Sequence, residues 1–170
     1  GAIAEANLSQ AHVPVLIGTF GKSFGGAGAF VAGSEIVINS LIQSSRSYIY
    51  STAMPPAQAY AMQCAVGLIE QENWRREKLK ELVGYFREQA IENGINLNPA
   101  ATGPIQPVVI GLNEKTLEVS KQLLQKGFYV SAIRPPTVPE GQSRLRITLT
   151  SLHEKDQIVG LVKALVACLK

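Results

Sequence analysis

The fold is decided by the stretch Gly18-Thr19-Phe20-Gly21-Lys22-Ser23-Phe24-Gly25-Gly26-Ala27-Gly28, a loop that contains five glycines. The apolar run Val15-Leu16-Ile17 before it predicts a short buried strand, and residues 29–32 after it predict a second one. Glycine lets a backbone turn tightly and approach a ligand closely. The pattern therefore places Lys22 in a strand, loop, strand arrangement suited to holding a small molecule.

Lys22 is the first candidate for chemistry in this loop. A lysine beside a buried strand tends to lose its proton, and a neutral amine is a nucleophile that can form a Schiff base with an aldehyde cofactor. Thr19 and Ser23 supply hydroxyls that could reach phosphate oxygens. A lysine on a surface loop is equally compatible with the spacing alone.

Two phosphate-binding motifs compete for the same glycines, and both fail. A P-loop requires Gly five residues before Gly21, where this chain has Leu16. A dinucleotide fingerprint that begins at Gly26 requires Gly or Ala at position 31, which is Val31. Nucleotide binding therefore stays a weak alternative.

The next part of the chain is predicted to be helical. Ser34 can cap a helix over 35–43, and Pro55-Pro56 opens a helix that runs to about residue 70. From 74 to 92 apolar residues recur at intervals of three and four, which predicts a long amphipathic helix.

The remaining residues alternate between strands and helices. We predict strands over 106–112, 128–133 and 144–150, and helices over 114–125 and 153–169. The whole chain is therefore predicted to be α/β, with a glycine-rich part followed by an α+β unit.

The last predicted strand carries two arginines on one face. Strict alternation places Arg144 and Arg146 on the face opposite Leu145 and Ile147. A guanidinium group matches a carboxylate in a bidentate way, so this face suits an amino-acid substrate, although a solvent-exposed sheet face has the same pattern. Arg134, before two prolines, is either a loop cation or an anion clamp on a stiff backbone.

Composition excludes several classes of protein. The 170 residues are 46% hydrophobic with a formal charge of +3, and the interspersed charges do not predict a nucleic-acid partner. Cys64 and Cys168 form no CxxC and have no histidine at ligand spacing, so we expect neither a metal site nor a disulfide. We predict a cytoplasmic protein without a membrane or targeting segment.

Four segments in order resemble one family. They are the loop 18–25, then Tyr50-Ser51-Thr52-Ala53-Met54-Pro55-Pro56-Ala57-Gln58-Ala59, then Ala132-Ile133-Arg134-Pro135-Pro136-Thr137-Val138-Pro139, and finally 144–150 with His153-Glu154. Together they resemble the α-oxoamine synthases, a family of fold-type I enzymes that depend on pyridoxal 5'-phosphate (PLP). The resemblance covers nearly the whole chain.

The resemblance implies a fold and a domain organisation. Residues 1–55 would be the C-terminal part of a large PLP-binding domain, 56–75 a linking helix region, and 76–170 a small C-terminal α+β domain whose sheet contains antiparallel strands. It also implies a homodimer.

The resemblance also implies roles for single residues. Lys22 would hold PLP as a Schiff base and transfer a proton, Thr19 would bind the cofactor phosphate, and Thr52 would reach the phosphate of the neighbouring subunit's cofactor. Arg146 would pair with the substrate carboxylate. Arg134 and Thr137 would line the substrate site.

Within the family, the segments 50–59 and 132–139 look most like the branch that condenses L-alanine with a pimeloyl thioester, on CoA or acyl carrier protein, in biotin biosynthesis. The family places its pyridinium-pairing aspartate, ring-stacking histidine and glycine-rich phosphate turn before the lysine. We therefore expect this chain to be a portion with an incomplete site, inactive in isolation. A glycine C-acetyltransferase-like synthase and a non-catalytic α/β dimerisation module stay as alternatives.

Overall fold

The computed structural model describes residues 1–169. The chain divides into two compact units, unit 1 (Gly1–Glu72) and unit 2 (from Asn73 onward). Unit 1 contains α1 (Ala2–Glu5), β1 (Val15–Thr19), β2 (Ala29–Gly33), α2 (Glu35–Ser44), α3 (Arg46–Ile49) and α4 (Pro56–Gln71). Unit 2 contains α5 (Trp74–Glu92), β3 (Ile105–Gly111), α6 (Asn113–Gln125), β4 (Ser131–Ile133), β5 (Ser143–Thr148) and α7 (Lys155–Leu169).

Unit 1 is built around an antiparallel hairpin of β1 and β2. The register runs from Val15 opposite Gly33 to Thr19 opposite Ala29, so the glycine loop joins the two paired strands. The predicted cap of α2 is confirmed, since the hydroxyl of Ser34 accepts a hydrogen bond from the Val37 N–H at 3.4 Å. This hairpin fixes both ends of the loop that carries the candidate lysine.

The prediction that β1 is buried is wrong. Ile17 is 71% exposed, and Lys22 is exposed as well. The physical reason is that the two-stranded sheet has no second layer of structure closed over it within residues 1–72. Among those residues, all of which the structure describes, Met62 is the one buried side chain. The argument that burial makes Lys22 nucleophilic therefore has no support within this unit.

Unit 2 has an antiparallel sheet with the strand order β3-β5-β4. Leu145 and Ile147 of the central strand are buried beneath the helices, as the alternation predicted. Helix α6 packs on all three strands, and α7 packs against α5 and α6. The helices therefore cover one face of the sheet and enclose an apolar core around Phe86, which is fully buried.

A buried polar residue fixes one end of this sheet. The side-chain amide of Gln106 donates to the carbonyls of Ala101 and Gly103, both at 2.7 Å, and its Oε1 accepts from Arg87 at 2.9 Å. Arg87 also donates to the Ala101 carbonyl at 2.8 Å. Because every polar atom of Gln106 has a partner, its burial carries little penalty.

Three predicted boundaries in unit 2 differ from the structure by two residues or more. Strand β4 begins at Ser131 and not at 128, because its pairing with β5 starts at Ser131 opposite Arg146, and residues 128–130 line an open cleft instead. Strand β5 ends at Thr148, and α7 begins at Lys155. His153 lies in the turn before α7, where its Nδ1 accepts from the Thr150 N–H at 3.1 Å.

Within residues 1–169, no helix combines the length and the apolar character needed to cross a membrane.

Candidate functional site

Lys22 lies at the start of a tight turn in the glycine loop. The Gly25 N–H donates to the Lys22 carbonyl, the Gly26 N–H donates to the Phe20 carbonyl, and the Phe20 N–H donates to the Gly28 carbonyl, each at 2.9 Å. Gly25 and Gly28 have φ values of +68° and +97°, which side chains disfavour. The loop backbone is therefore defined by its own hydrogen bonds, and Lys22 projects from a closed turn.

Three aromatic rings brace this loop. Phe20 lies 5.1 Å from Phe24 and 5.3 Å from Phe30 between ring centroids, and Phe24 and Phe30 are 6.0 Å apart. Phe24 is the second residue after Lys22, so its packing against the hairpin restrains the backbone next to the candidate nucleophile. Such aromatic pairs stabilise by about 0.5–1.5 kcal/mol each beyond simple burial.

The far limb of the loop, Gly26 to Gly28, lies against two methionines. A Cβ atom at Gly26 would overlap the side chain of Met62 on α4, and one at Gly28 would lie 2.6 Å from Cε of Met54. Close approach of a methionine therefore favours glycine at both positions, and the positive φ of +97° favours it further at Gly28.

A contact that sequence reasoning missed joins α4 to the same limb. The side-chain amide of Gln58 donates to the carbonyl of Ala27 at 2.6 Å. Gln58 and Met62 are four residues apart on α4, so they lie on one side of the helix, but no local pattern in the sequence links that side to Ala27. Gln58 lies inside a segment that carried the family resemblance, but no role was assigned to it.

The three residues proposed for the cofactor lie in unit 1. Thr19 is the last residue of β1, and Lys22 follows three residues later on the loop. Thr52 lies in the segment between α3 and α4, two residues before Met54. All three side chains are exposed, so their polar groups are accessible to a ligand.

In unit 2 the structure distinguishes the two arginines of β5. Arg144 is engaged locally, since its Nε and Nη2 donate to the carbonyl and side-chain oxygens of Gln142, each at 2.9 Å. Arg146 lies opposite Ser131 on β4 and Pro107 on β3, on the sheet face away from the core. Within residues 1–169, its guanidinium forms no ion pair or hydrogen bond, so Arg146 is the one available to an anion.

Arg134 and Thr137 lie on the turn that follows β4. The Thr137 N–H donates to the Arg134 carbonyl at 3.0 Å, around the cis peptide bond between Pro135 and Pro136. Both side chains are exposed. The turn therefore presents a cation and a hydroxyl close together in the chain, as a site for a carboxylate or phosphate would require.

Metal chemistry has no candidate in the described part of the chain. Residues 1–169 contain no group of three or more His, Cys, Asp or Glu side chains arranged to hold a metal ion. Cys64 is exposed and Cys168 is buried, and both are free thiols.

Several known proteins that are similar in sequence carry the same name. The chain is 52% identical over 169 residues to the 8-amino-7-oxononanoate synthase of Stutzerimonas stutzeri, covering 99% of this chain and 43% of that protein. It is 51% identical over 165 residues to the synthase of the same name from Thioalkalivibrio sulfidiphilus, covering 97% of this chain and 42% of the relative. The chain thus spans less than half the length of these relatives.

Solved structures agree with the fold. The 8-amino-7-oxononanoate synthase of Francisella tularensis superposes with a TM-score of 0.84 at 29% identity, over 98% of this chain and 49% of that one. A Sphingomonas wittichii serine palmitoyltransferase superposes with a TM-score of 0.89 at 24% identity, over 99% of this chain and 42% of that one. These two structures confirm the predicted fold class. The synthases of Stutzerimonas stutzeri and Thioalkalivibrio sulfidiphilus confirm the resemblance to α-oxoamine synthases. The family model for aminotransferase class I and II matches residues 2–165, and the chain belongs to that family.

Proposed function

We propose that the protein is a PLP-dependent acyltransferase that condenses L-alanine with a pimeloyl thioester, with loss of CO2, to give 8-amino-7-oxononanoate in biotin biosynthesis. The observation that carries this proposal is the 52% identity over 169 residues to a synthase of that name. The activity is proposed for the whole protein, to which this chain contributes the residues described above.

The chemistry of the residues present fits PLP. Lys22 offers an accessible primary amine on a backbone fixed by three hydrogen bonds, which suits a covalent link to the cofactor's aldehyde carbon. Thr19 offers a hydroxyl three residues away, at the end of the strand that leads into the loop. When bound, PLP supplies an electron sink for the negative charge that develops on the amino-acid substrate.

In this proposal Lys22 has two tasks. Its Nζ would hold the cofactor covalently, and the same amine would move a proton at the α-carbon of the substrate. Both tasks require Nζ to stay near one position, which the closed turn at Gly25 favours.

Thr19 and Thr52 are proposed to bind phosphate. Thr19 would donate its hydroxyl to the phosphate of the cofactor on its own chain, and Thr52 would donate to the phosphate held by a neighbouring subunit. The second role requires a homodimer, which we therefore propose as the active assembly.

Arg146, Arg134 and Thr137 are proposed to bind the substrates. Arg146 would hold the carboxylate of L-alanine through a bidentate pair, because its guanidinium is uncommitted while that of Arg144 is occupied by Gln142. Arg134 and Thr137 would line the substrate site. The pimeloyl group would be carried either by CoA or by acyl carrier protein.

We propose residues 1–55 as the C-terminal part of the PLP-binding domain, 56–75 as a linking helix region and 76–170 as the small domain. A cytoplasmic location is proposed as well, since free thiols suit a reducing compartment. Exposed apolar side chains of unit 1, such as Ile17, are consistent with a surface that further protein covers.

The test is an assay of the full-length protein purified with PLP. L-Alanine is supplied with pimeloyl-CoA or with pimeloyl carrier protein, and 8-amino-7-oxononanoate is measured by mass spectrometry. We expect product in the wild type and a loss on the order of a thousandfold in Lys22→Ala, as removal of a proton-transfer group typically costs. Lys121→Ala, an exposed lysine on α6, is the matched control and should keep full activity.

Other results would replace the proposal with an alternative. Product formed only when glycine and a short acyl thioester replace the two substrates would indicate a glycine C-acetyltransferase-like enzyme. No turnover with any amino acid, together with an unchanged role of the protein in the cell after Lys22→Ala, would indicate a non-catalytic module.

A further inference from the structure

Within residues 1–169, one side-chain hydrogen bond reaches the loop segment 20–28 from outside it. The internal hydrogen bonds of the segment join residues 20–28 to one another, and the side-chain amide of Gln58 on α4 is the group that reaches across 31 residues of sequence to bind the Ala27 carbonyl. At 2.6 Å this is a short hydrogen bond for an amide donor.

The packing around this bond brings α4 directly against the loop. Met62 fills the space over Gly26 and Met54 fills the space over Gly28, so Ala27 lies between two glycines that are each covered by a methionine. Met62 is 8% exposed, the lowest value in unit 1. Methionine packing is adaptable and tolerates sliding, whereas a hydrogen bond fixes the register of the loop against the helix.

The consequence reaches Lys22 through the backbone. The Gly26 N–H donates to the Phe20 carbonyl and the Gly25 N–H donates to the Lys22 carbonyl, so a shift of Ala27 displaces the turn from which Lys22 projects. The Lys22 side chain itself is exposed and is not held by packing. Its position is therefore set by the backbone that Gln58 holds, and reacting groups lose rate when they are misplaced by even about 1 Å.

We propose that Gln58 is a positioning residue for Lys22: its amide holds Ala27 and thereby fixes the loop that presents the lysine amine to PLP. This proposal rests on the proposed use of Lys22 as the PLP-binding residue, and it predicts effects on the loop and on capture of the cofactor that do not depend on turnover.

The test compares Gln58→Met with Gln63→Met in the full-length protein. Gln58→Met keeps the length of the side chain and removes its donor, and Gln63 is an exposed glutamine on the same helix. Two measurements precede any assay. One is amide hydrogen exchange at Gly25 and Gly26. The other is the rate at which PLP with cyanoborohydride adds mass at Lys22: the amine condenses with the aldehyde and releases one water, and hydride from cyanoborohydride then reduces the resulting C=N bond to a stable C–N bond.

We expect Gln58→Met to raise exchange at Gly25 and Gly26 by about tenfold and to slow mass gain at Lys22 by a similar factor, since a net hydrogen bond typically contributes up to that factor. In the assay, kcat should fall about tenfold while KM for L-alanine changes less than twofold, because the role of binding the substrate carboxylate is proposed for Arg146 and not for Gln58 or the loop that it holds. Gln63→Met should match wild type in every measurement.

A second variant guards against a folding defect. Gln58→Glu has a carboxylate that repels the Ala27 carbonyl when ionised but can donate to it when protonated. Its exchange and capture rates should therefore approach those of the wild type, measured at the same pH, as the pH falls below about 4. The ratio of the Gln58→Met rates to the wild-type rates, measured in the same way, should show no such recovery at low pH.

The outcomes separate this proposal from the proposed function. Unchanged capture at Lys22 in Gln58→Met overturns the positioning role even if exchange increases, since Gln58 would then act only on stability. If the wild type captures PLP at Lys22 and Gln58→Met slows that capture, the positioning role stands even where no 8-amino-7-oxononanoate forms. That result would reject the proposed reaction but would keep Gln58 as the residue that positions Lys22.

Discussion

The two units of this chain hold their functional residues in different ways. In unit 2, Arg146 lies on a strand whose opposite face, with Leu145 and Ile147, is packed into an apolar core. In unit 1, Lys22 lies on a loop held by local hydrogen bonds, three half-buried phenylalanines and contacts from α4. The strand that carries Arg146 is held by a buried apolar core, whereas the loop that carries Lys22 is held by contacts between partly exposed residues.

The difference in burial between the two units indicates what stabilises each of them. Unit 2 encloses large side chains from each of its helices, whereas residues 1–72 bury one side chain, that of Met62. The large apolar side chains that are more than 60% exposed are Ile17, Ile36, Tyr48, Tyr50 and Tyr60 in unit 1, and Leu112, Tyr129 and Leu152 in unit 2. Because burial of apolar surface is the main force that stabilises a fold, unit 2 should be stable by itself and unit 1 should depend on protein that covers it.

Separate expression of the two units gives the largest expected effect. We expect residues 73–170 to unfold cooperatively on heating, with a fixed near-ultraviolet circular dichroism spectrum. Residues 1–72 should show no cooperative transition, since they have a single buried side chain. Cooperative unfolding of the isolated 1–72 segment, or its absence from the isolated 73–170 segment, would remove the basis of the comparison.

The elements of unit 2 were readable from the sequence because their patterns report local geometry. Apolar spacing of three and four predicted α5 with the bounds that the structure has, Trp74–Glu92. Alternation predicted that Arg144 and Arg146 share one face of β5 and that Leu145 and Ile147 are buried on the other. Both signals are periodic patterns that lie entirely within one short stretch of sequence.

The features that sequence reasoning missed depend on contacts between distant segments. An apolar run such as Val15-Leu16-Ile17 indicates that a strand is meant to be covered, but not whether the covering layer belongs to the same stretch of chain. The start of β4 at Ser131 depends on how residues 128–130 diverge from β5. The bond from Gln58 to Ala27 joins residues 31 apart, which local patterns do not report.

The candidate site also contains residues that local patterns predict and contacts that only the structure reveals. Lys22 could be singled out from its glycines alone, and the arginines of β5 from their alternation. The structure added that Arg144 is occupied by Gln142, which no spacing rule indicates. The roles of Thr19, Thr52, Arg134 and Thr137 rest on family resemblance and stay predictions.

Truncation of a core aromatic gives the next effect in size. Phe86 is fully buried on α5, so Phe86→Ala should lower the free energy of unfolding of unit 2 by about 3–5 kcal/mol through lost burial and the cavity that remains. Native-state amide exchange across α5 and β5 measures this within the full-length protein.

The matched change in unit 1 is Phe24→Ala. The ring is half-buried and leaves an open surface instead of an enclosed cavity, so we expect a loss of about 1 kcal/mol, mainly from its pairing with Phe20 and Phe30. Equal losses for the two substitutions would mean that the phenylalanine cluster is as much a core as the interior of unit 2.

The smallest effect is expected from the surface pair between α5 and α7. Lys155 Nζ lies 2.6 Å from a carboxylate oxygen of Glu81, and this hydrogen bond and charge lower the pKa of Glu81 and raise the pKa of Lys155. Both groups are exposed, so solvent and salt screen the interaction. A lowered carboxyl pKa contributes stability that is fully present above the ordinary value of 4.5 and is lost as the pH falls through the folded-state pKa.

For Lys155 the sign is reversed, with the contribution fully present below 10.5 and lost as the pH rises through the folded-state pKa. Glu81→Gln should therefore destabilise unit 2 slightly at neutral pH, and the difference from wild type should shrink towards pH 3 and in 1 M salt. Glu88→Gln, on the same helix and exposed, is the control and should show neither dependence. A loss in Glu81→Gln as large as that in Phe86→Ala, measured by chemical denaturation at pH 7, would contradict the view that the core of unit 2 determines its stability.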